Sequence, residues 1–413
     1  MSARTLAANA SWSLLSHALS RGSMLLSSIV LARSLGTVDF AAYSYFQMTV
    51  SMLAAYASLG LGVTASRYFA ALGQEKSSNI NKPLGMLWAL SICTAIVGAL
   101  TVLCLPQSWL GTGFYLPRWL LALGVFISAC QVVPSGAILG LEKYKINIIV
   151  SFSSALTLFA GIAYAATRSS PIYGMLALIA AGCVQLLGET AIVIRAVKLR
   201  SLFNKQWFTL KAAKEVVHFA GPMLFVSLMA GSGSWFLGQI ILHYQGATSF
   251  AIYAVGMQWF ALALLLPGIV SRVTLPRVVR SLTDSEDERK LLVRKSAVLA
   301  TAGAGCFAAL GVIVGPAITN AYGLEFVESR WVIGGYFIAA IFSAPANTLG
   351  NAIIARDGQR IWFVLTATWL AALLGTGMII KDLGVNSGSI AHAVASLLLT
   401  LLAAIAARVR KLI

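Results

Sequence analysis

Twelve apolar segments follow one another along the chain, each about 20 residues long and separated by polar connections. A helix needs about 20 apolar residues to cross the hydrocarbon core of a bilayer, which is about 30 Å thick. Hydrophobic residues make up 59% of the sequence and charged residues only 10%, whereas soluble proteins carry about 25% charged residues. The pattern excludes a soluble domain and predicts an all-α polytopic membrane protein with about 12 transmembrane helices.

Basic residues alternate between the two sets of connections that separate these segments. Twenty-four Lys and Arg residues fall in one set, which includes both termini, and five fall in the other. Basic loops stay on the cytoplasmic side of a membrane, so we expect both termini in the cytoplasm and an even number of spans. The net charge of +17 is spread over these loops, which argues against nucleic acid as a partner.

The longest connection divides the spans into six and six. We predict an N-lobe over residues 1–194, a basic cytoplasmic linker over 195–216 and a C-lobe over 217–413. Trp207 and Phe208 stand among the lysines of the linker. This composition is typical of an interfacial helix held by anionic lipid, and a plain solvated linker is the alternative.

An internal repeat relates the two lobes. When the sequence is shifted by 210 residues, eight of the 37 positions from Gly36 to Leu72 match the later copy. Odd and even spans keep their parity, so the repeat is parallel, and two six-helix lobes around a central cavity are the architecture of an alternating-access transporter. A chance match between apolar segments is the alternative. The matching residues are Gly36, Phe40, Ala41, Tyr43, Val63, Thr64, Arg67 and Leu72, against Gly246, Phe250, Ala251, Tyr253, Val273, Thr274, Arg277 and Leu282.

Arg21 is the one basic residue in the middle of a predicted span, and His17 lies one helical turn before it. A charge inside a bilayer costs about 3 kcal/mol or more and marks a functional site by default. Three interpretations are open: Arg21 faces a water-filled cavity and binds anionic cargo, it pairs with a buried acid, or it extends to an interface. Nearby serines make this helix face polar, which favours the cavity.

Acidic residues are scarce in the predicted spans, where only Glu189 occurs. Cation and drug pumps need buried carboxylates, whereas an arginine suits phosphate-bearing cargo because guanidinium pairs bidentately with phosphate oxygens. Arg67, Arg272 and Arg277 end spans on the basic side, where either a cargo head group or topology alone accounts for them. His218, His243 and His392 are scattered and are interpreted as structural.

Enzymatic and cofactor signatures do not emerge from the sequence. The five cysteines have no paired spacing, so they indicate neither a disulfide framework nor a metal site. There is no P-loop, and the connections outside the basic set are too short for the large catalytic loop of polytopic polymerases and ligases. We therefore expect a transporter without a cofactor rather than an enzyme.

Motifs in the first 75 residues resemble a known family. They are the run Asn9–Trp12, the run Leu31–Gly36, the run Phe40–Tyr43, and Gly60-Leu-Gly62 followed by Arg67. These residues resemble the N-terminal signature of O-antigen (Wzx-type) polysaccharide flippases, which belong to the multidrug/oligosaccharidyl-lipid/polysaccharide (MOP) superfamily.

The resemblance implies a protein of the bacterial cytoplasmic (inner) membrane that flips an undecaprenyl-pyrophosphate-linked oligosaccharide by alternating access, in contact with membrane lipids and with polysaccharide polymerase or assembly proteins. It further implies a cationic cavity, to which Arg21 corresponds, with Arg67 and Arg272 at span ends. The second lobe has Gly231 at the repeat position of Arg21, so such a site is one-sided.

Three other function classes are weighed against a flippase. A cation-coupled drug antiporter of the same superfamily is disfavoured by the scarcity of intramembrane acids. A sugar porter of the other large twelve-span class is disfavoured because the connection from Arg67 to Lys82 lacks a Gly-x-x-x-Asp-Arg pattern. A non-transporting scaffold in a polysaccharide assembly complex is the third, and it would tolerate substitutions in the cavity but not in the loops.

Overall fold

The computed structural model describes residues 3–58, 60–72, 84–106, 114, 116–197, 210–268, 286–356, 358–410 and 412. These residues are almost entirely helical and contain no β-strand. The helices are α1 (Ala3–Ala57), α2 (Leu61–Leu72), α3 (Leu84–Cys104), α4 (Arg118–Leu141), α5 (Tyr144–Arg168), α6 (Pro171–Val197), α7 (Leu210–Ala263), α8 (Glu286–Tyr322), α9 (Ser329–Ala355), α10 (Gln359–Ile379) and α11 (Ser387–Val409). Two 3₁₀ helices, η1 (Leu324–Phe326) and η2 (Lys381–Asn386), precede α9 and α11.

The helices have the length that a membrane requires. Among the described residues, nine helical stretches are long and apolar enough to cross one. The Leu15–Ala57 stretch of α1 has 43 residues, which corresponds to about 65 Å and therefore to two crossings. Each of the twelve predicted spans overlaps one of the helices or one limb of α1 or α7. The prediction of an all-α polytopic membrane protein is confirmed.

Glycine breaks the two longest helices at equivalent positions. Gly36 in α1 has φ 74° and ψ −179°, and Gly246 in α7 has φ 85° and ψ −178°. These dihedral angles lie in a region that is open almost only to glycine. The two positions differ by the 210 residues of the predicted repeat, so the structure confirms the repeat. The sequence predicted polar turns of several residues at these two positions. In the structure, helical residues instead continue up to each glycine, because one residue without a Cβ suffices to break the helix.

The chain divides into two compact units. The first comprises Met1–Ser34 and Ala42–Gly231, and the second comprises Leu35–Ala41 and Ser232–Ile413. Most of the predicted linker, residues 198–209, lies outside the described residues, and α7 begins at Leu210.

In the first unit, α4 packs against α2, α3 and α6, while α5 packs against α6. The core between α2 and α4 is apolar and includes Phe69 and Val133. Glycine permits the closest approach of these helices, because a Cβ on Gly136 would lie 2.2 Å from the carbonyl oxygen of Gly62. Small residues at helix contacts are the usual way for helices in a membrane to pack closely.

In the second unit, α9 lies between α8 and α11, and α11 also packs against α10. Its core is aromatic. Tyr253 and Tyr336 are fully buried, with ring centroids 6.2 Å apart. The Tyr253 hydroxyl donates to the carbonyl oxygen of Ser234 over 2.5 Å, so this phenol has the partner that a buried polar group requires.

The segment Leu35–Ala41 is held within the second unit by specific contacts. The second limb of α1 begins at Thr37, whose N–H donates to Oε2 of Glu325 over 3.0 Å. The first N–H groups of a helix have no acceptor within the helix, and a carboxylate there also complements the positive end of the helix dipole. The Phe40 ring packs edge-on against Phe326 at 5.8 Å. The hydroxyl oxygens of Thr37 and Thr248, which follow the two glycine breaks, are 3.3 Å apart.

Candidate substrate-binding positions

The first limb of α1 presents Arg21 and His17 together. The side chain of Arg21 is exposed and that of His17 is half-buried. Residues four apart lie on the same side of a helix, so the two predicted cavity residues are neighbours. Ser16 anchors this limb of α1, because its buried hydroxyl lies 2.9 Å from the Ser151 hydroxyl of α5. This bond ties α1 to α5 within the first unit and fixes which side of α1 carries the guanidinium.

Two serine hydroxyls along the same limb bond to the backbone of their own helix. Ser23 donates to the carbonyl oxygen of Ser20 over 2.9 Å, and Ser28 donates to that of Leu25 over 2.8 Å. Such bonds to the preceding turn satisfy a hydroxyl in an apolar helix. The polar appearance of this limb in the sequence therefore comes partly from local bonds, and Arg21 and His17 are the groups that distinguish it.

Arg67 lies on α2, with its side chain exposed. The opposite side of α2 is buried through Leu61, Ala65 and Phe69, so the core fixes the outward direction of the guanidinium. Arg272 and Arg277 lie outside the described residues. The structure thus brings Arg21 and His17 together, places Arg67 on another helix of the same unit, and does not place the other two arginines.

Glu189 on α6 is 3% exposed and sits against α4. Its Oε2 accepts a hydrogen bond from the Ser135 hydroxyl over 2.5 Å, and its Oε1 accepts one from the Gln185 amide over 2.7 Å. The sequence identified Glu189 as the acid within a span but not these partners, since Ser135 is 54 positions away. Within the described residues, no three His, Cys, Asp or Glu side chains come together as a metal site.

A polar stripe on α11 faces α9 in the second unit and was missed by sequence reasoning. It consists of Gly388, His392, Ser396 and Thr400, spaced by four residues. A Cβ on Gly388 would lie 3.2 Å from the Tyr336 hydroxyl, the Ser396 hydroxyl lies 2.8 Å from that of Ser343, and the Thr400 hydroxyl donates to the carbonyl oxygen of Phe342. The four-residue period is the signal that could have revealed it.

His392 is the exception in this polar stripe. Its ring is 1% exposed, and neither nitrogen has a hydrogen-bond partner among the described residues. Aromatic rings surround it, with centroids at 5.3 Å for Tyr336, 5.5 Å for Phe260 and 6.2 Å for Trp369. The prediction that this histidine is structural agrees with its position in the core, but its two nitrogens lack the bonds that buried polar atoms normally make.

Comparison with known proteins identifies the family. The family model described as "Polysaccharide biosynthesis protein" matches residues 6–282, which is more than half of the chain. The chain belongs to this family. The matched region contains Arg21, His17, Arg67 and both glycine breaks. No curated protein matches the sequence.

Solved structures with the same fold are MOP-superfamily transporters. An inward-facing multidrug resistance MATE family transporter of this superfamily has a TM-score of 0.76 and 12% identity, with 97% of this chain and 98% of that chain covered. A MOP superfamily transporter from Pyrococcus furiosus has a TM-score of 0.75 and 13% identity over 98% and 95%. A mutant of the Vibrio cholerae MATE transporter VcmN has a TM-score of 0.70 and 17% identity over 99% and 98%. The family member described here therefore has the MATE-like fold with its two-lobe repeat.

Proposed function

We propose that this protein flips an undecaprenyl-pyrophosphate-linked oligosaccharide, the repeat unit of an O-antigen or exopolysaccharide, from the inner to the outer leaflet of the bacterial cytoplasmic membrane. Two findings support the class of function. The chain belongs to a polysaccharide biosynthesis family, and its fold is that of transporters. A transporter in a polysaccharide pathway has to carry sugars across the membrane, and the lipid-linked form is the one that a protein within the bilayer meets.

The observation that carries the cargo assignment is Arg21. It is a guanidinium within a membrane-spanning stretch, its side chain is exposed, and His17 lies one turn away. Arginine pairs with pyrophosphate oxygens through two parallel charge-assisted hydrogen bonds. In this proposal the pyrophosphate binds at Arg21, the sugars cross the membrane through the protein, and the polyprenyl tail stays in lipid.

The surroundings of Glu189 also favour an anionic cargo over a cationic one. Glu189, the acid within a predicted span, is buried and accepts hydrogen bonds from a serine and a glutamine. It is therefore engaged in holding α6 to α4 rather than displayed to cationic cargo. A fold of this kind tolerates a change of polarity, since the Pyrococcus furiosus transporter is described as having a binding pocket of reverse polarity that suggests a different function.

The test is complementation of a flippase-null bacterial strain with wild type, Arg21→Lys and Arg21→Ala, with surface polysaccharide as the readout. Charge-assisted hydrogen bonds contribute about 1.5–3 kcal/mol, so Arg21→Ala should lower export about 10–100-fold. Lysine keeps the charge without the bidentate fork and should retain intermediate export. Arg33→Ala is the matched control, because Arg33 is also an exposed arginine of α1 but lies at the glycine break.

The comparison requires that the four proteins are present in the membrane at equal levels. Full export by Arg21→Ala would refute the anion site at Arg21. Efflux of cationic dyes by the wild type, without restored polysaccharide, would favour the drug antiporter instead.

A further inference from the structure

The ends of α9 and α11 are joined by two arginines that bind each other's backbone. Nη1 of Arg356 donates to the carbonyl oxygen of Arg410 over 3.1 Å, and Nη1 of Arg410 donates to the carbonyl oxygen of Arg356 over 2.7 Å. Each arginine is the C-terminal cap of its helix. Carbonyl groups at a helix end lack partners within the helix, and cationic side chains there are favourable. The two bonds therefore hold both guanidinium groups at the point where α9 and α11 end.

This arrangement leaves positive charge uncompensated. Two guanidinium groups carry two positive charges, and each helix C-terminus supplies about half a negative charge, so about one positive charge remains. Within the described residues, no carboxylate bonds to either guanidinium. The two segments 356–360 and 408–411 contain five basic residues and one acid in the sequence, so their surroundings add positive charge.

The remaining donors suit a phosphate group. A guanidinium has five N–H donors in a planar fork, and each of these uses Nη1 for one bond to a carbonyl oxygen. The other donors are available to the oxygens of a phosphodiester, with which guanidinium forms bidentate pairs. The membrane-spanning stretches end at Ile354 and Val409, one or two residues before the arginines. The pair is therefore at the level where lipid phosphates lie.

We propose that Arg356 and Arg410 form a binding site for the head group of an anionic phospholipid on the second unit. The negative charge of a phosphatidylglycerol head group complements the positive charge that remains at the pair. Free phosphate shares this chemistry, but only a lipid is held at this depth by its chains as well. Because the bound lipid bridges α9 and α11, it stabilises their packing.

The experiment uses the full-length protein, purified in neutral detergent and titrated with phosphatidylglycerol, with bound lipid counted by native mass spectrometry. Phosphatidylcholine and inorganic phosphate are the comparison ligands. Each basic residue contributes about fivefold to the binding of anionic lipid. We therefore expect the highest-affinity phosphatidylglycerol site to weaken about fivefold in R410Q and about 30-fold in R356Q/R410Q. The single variant keeps the bond from Arg356 to the backbone of residue 410, so it remains a folded test if the double variant does not fold.

The control is R195Q/R294Q, which removes the same charge from two exposed arginines of the same basic set and should leave that site unchanged. Three results would overturn the proposal. They are equal retention of phosphatidylglycerol by wild type and R356Q/R410Q, an equal loss in R195Q/R294Q, and displacement of the lipid by inorganic phosphate at matched concentration. The last result would identify a site for free phosphate instead.

Discussion

Replacing the two glycines at the helix breaks with alanine tests the reasoning about the repeat most directly. Gly36 and Gly246 have φ of 74° and 85°, and backbone conformations of this kind cost other residues about 1–3 kcal/mol. Space is not the obstacle, because a Cβ on Gly36 would meet only Oε2 of Glu325 at 3.5 Å and one on Gly246 would meet nothing within 4 Å. The expected destabilisation of 1–3 kcal/mol therefore comes from backbone strain alone, and it should be similar at both positions.

Each helix supplies its own control. Gly22 of α1 and Gly231 of α7 have nothing within 4 Å of an added Cβ, and neither has a positive φ. Alanine is preferred to glycine inside a helix by about 0.8–1 kcal/mol, so Gly22→Ala and Gly231→Ala should raise stability. The free energy of unfolding should therefore differ by about 2–4 kcal/mol between the alanine variant at each glycine break and its control in the same helix.

Thermal unfolding of the purified protein measures this contrast. Unfolding entropy is about 2 cal/mol/K per residue, so a shift of about 1 °C per kcal/mol is expected for 413 residues. Gly36→Ala and Gly246→Ala should unfold about 2–4 °C below their controls in the same detergent. If all four variants have the same unfolding temperature, the glycine breaks do not depend on positive φ and the argument fails.

Four further substitutions test the buried polar groups, again by thermal unfolding. Glu189→Ala removes the acceptor from the Ser135 hydroxyl and the Gln185 amide and should cost about 1–3 kcal/mol, whereas Glu189→Gln keeps the shape and should cost less. Unchanged stability of Glu189→Ala would show that the carboxylate bonds contribute nothing. His392→Leu removes two nitrogens that have no partner among the described residues and should leave stability unchanged or higher. Ser396→Ala breaks a bond of 2.8 Å and should cost about 1 kcal/mol. A larger loss of stability for His392→Leu than for Ser396→Ala would mean that the histidine ring has a partner.

The sequence was sufficient for the fold because hydropathy and repetition act over whole helices. Apolar runs of about 20 residues define the spans, and identities at a shift of 210 residues reveal the repeat, with Gly36 and Gly246 among them. The form of the two turns was not predictable in the same way. Hydropathy cannot distinguish a loop of several residues from a helix that continues to a single glycine, because the difference lies in one pair of dihedral angles.

Side-chain partners were less predictable because they join distant parts of the chain. The mutual bonds of Arg356 and Arg410 and the bond between Ser343 and Ser396 depend on how α9 lies against α11. Sequence spacing within one helix cannot supply that relation. Arg21 was identifiable because a charge in an apolar run stands out without any partner, and its role as a cargo contact remains a prediction.

The assignment of Leu35–Ala41 to the second unit has a consequence for cutting the chain in two. A fragment that starts at Leu210 would contain most of the second unit but would lack the segment that supplies the Thr37 N–H to Glu325 and the Phe40 ring to Phe326. A cut in the linker therefore separates the sequence repeats without separating the folded units. In co-expressed halves, the N-terminal half would have to supply this seven-residue segment to the other half for the intact packing to form. The boundary between the sequence repeats therefore differs from the boundary between the structural units.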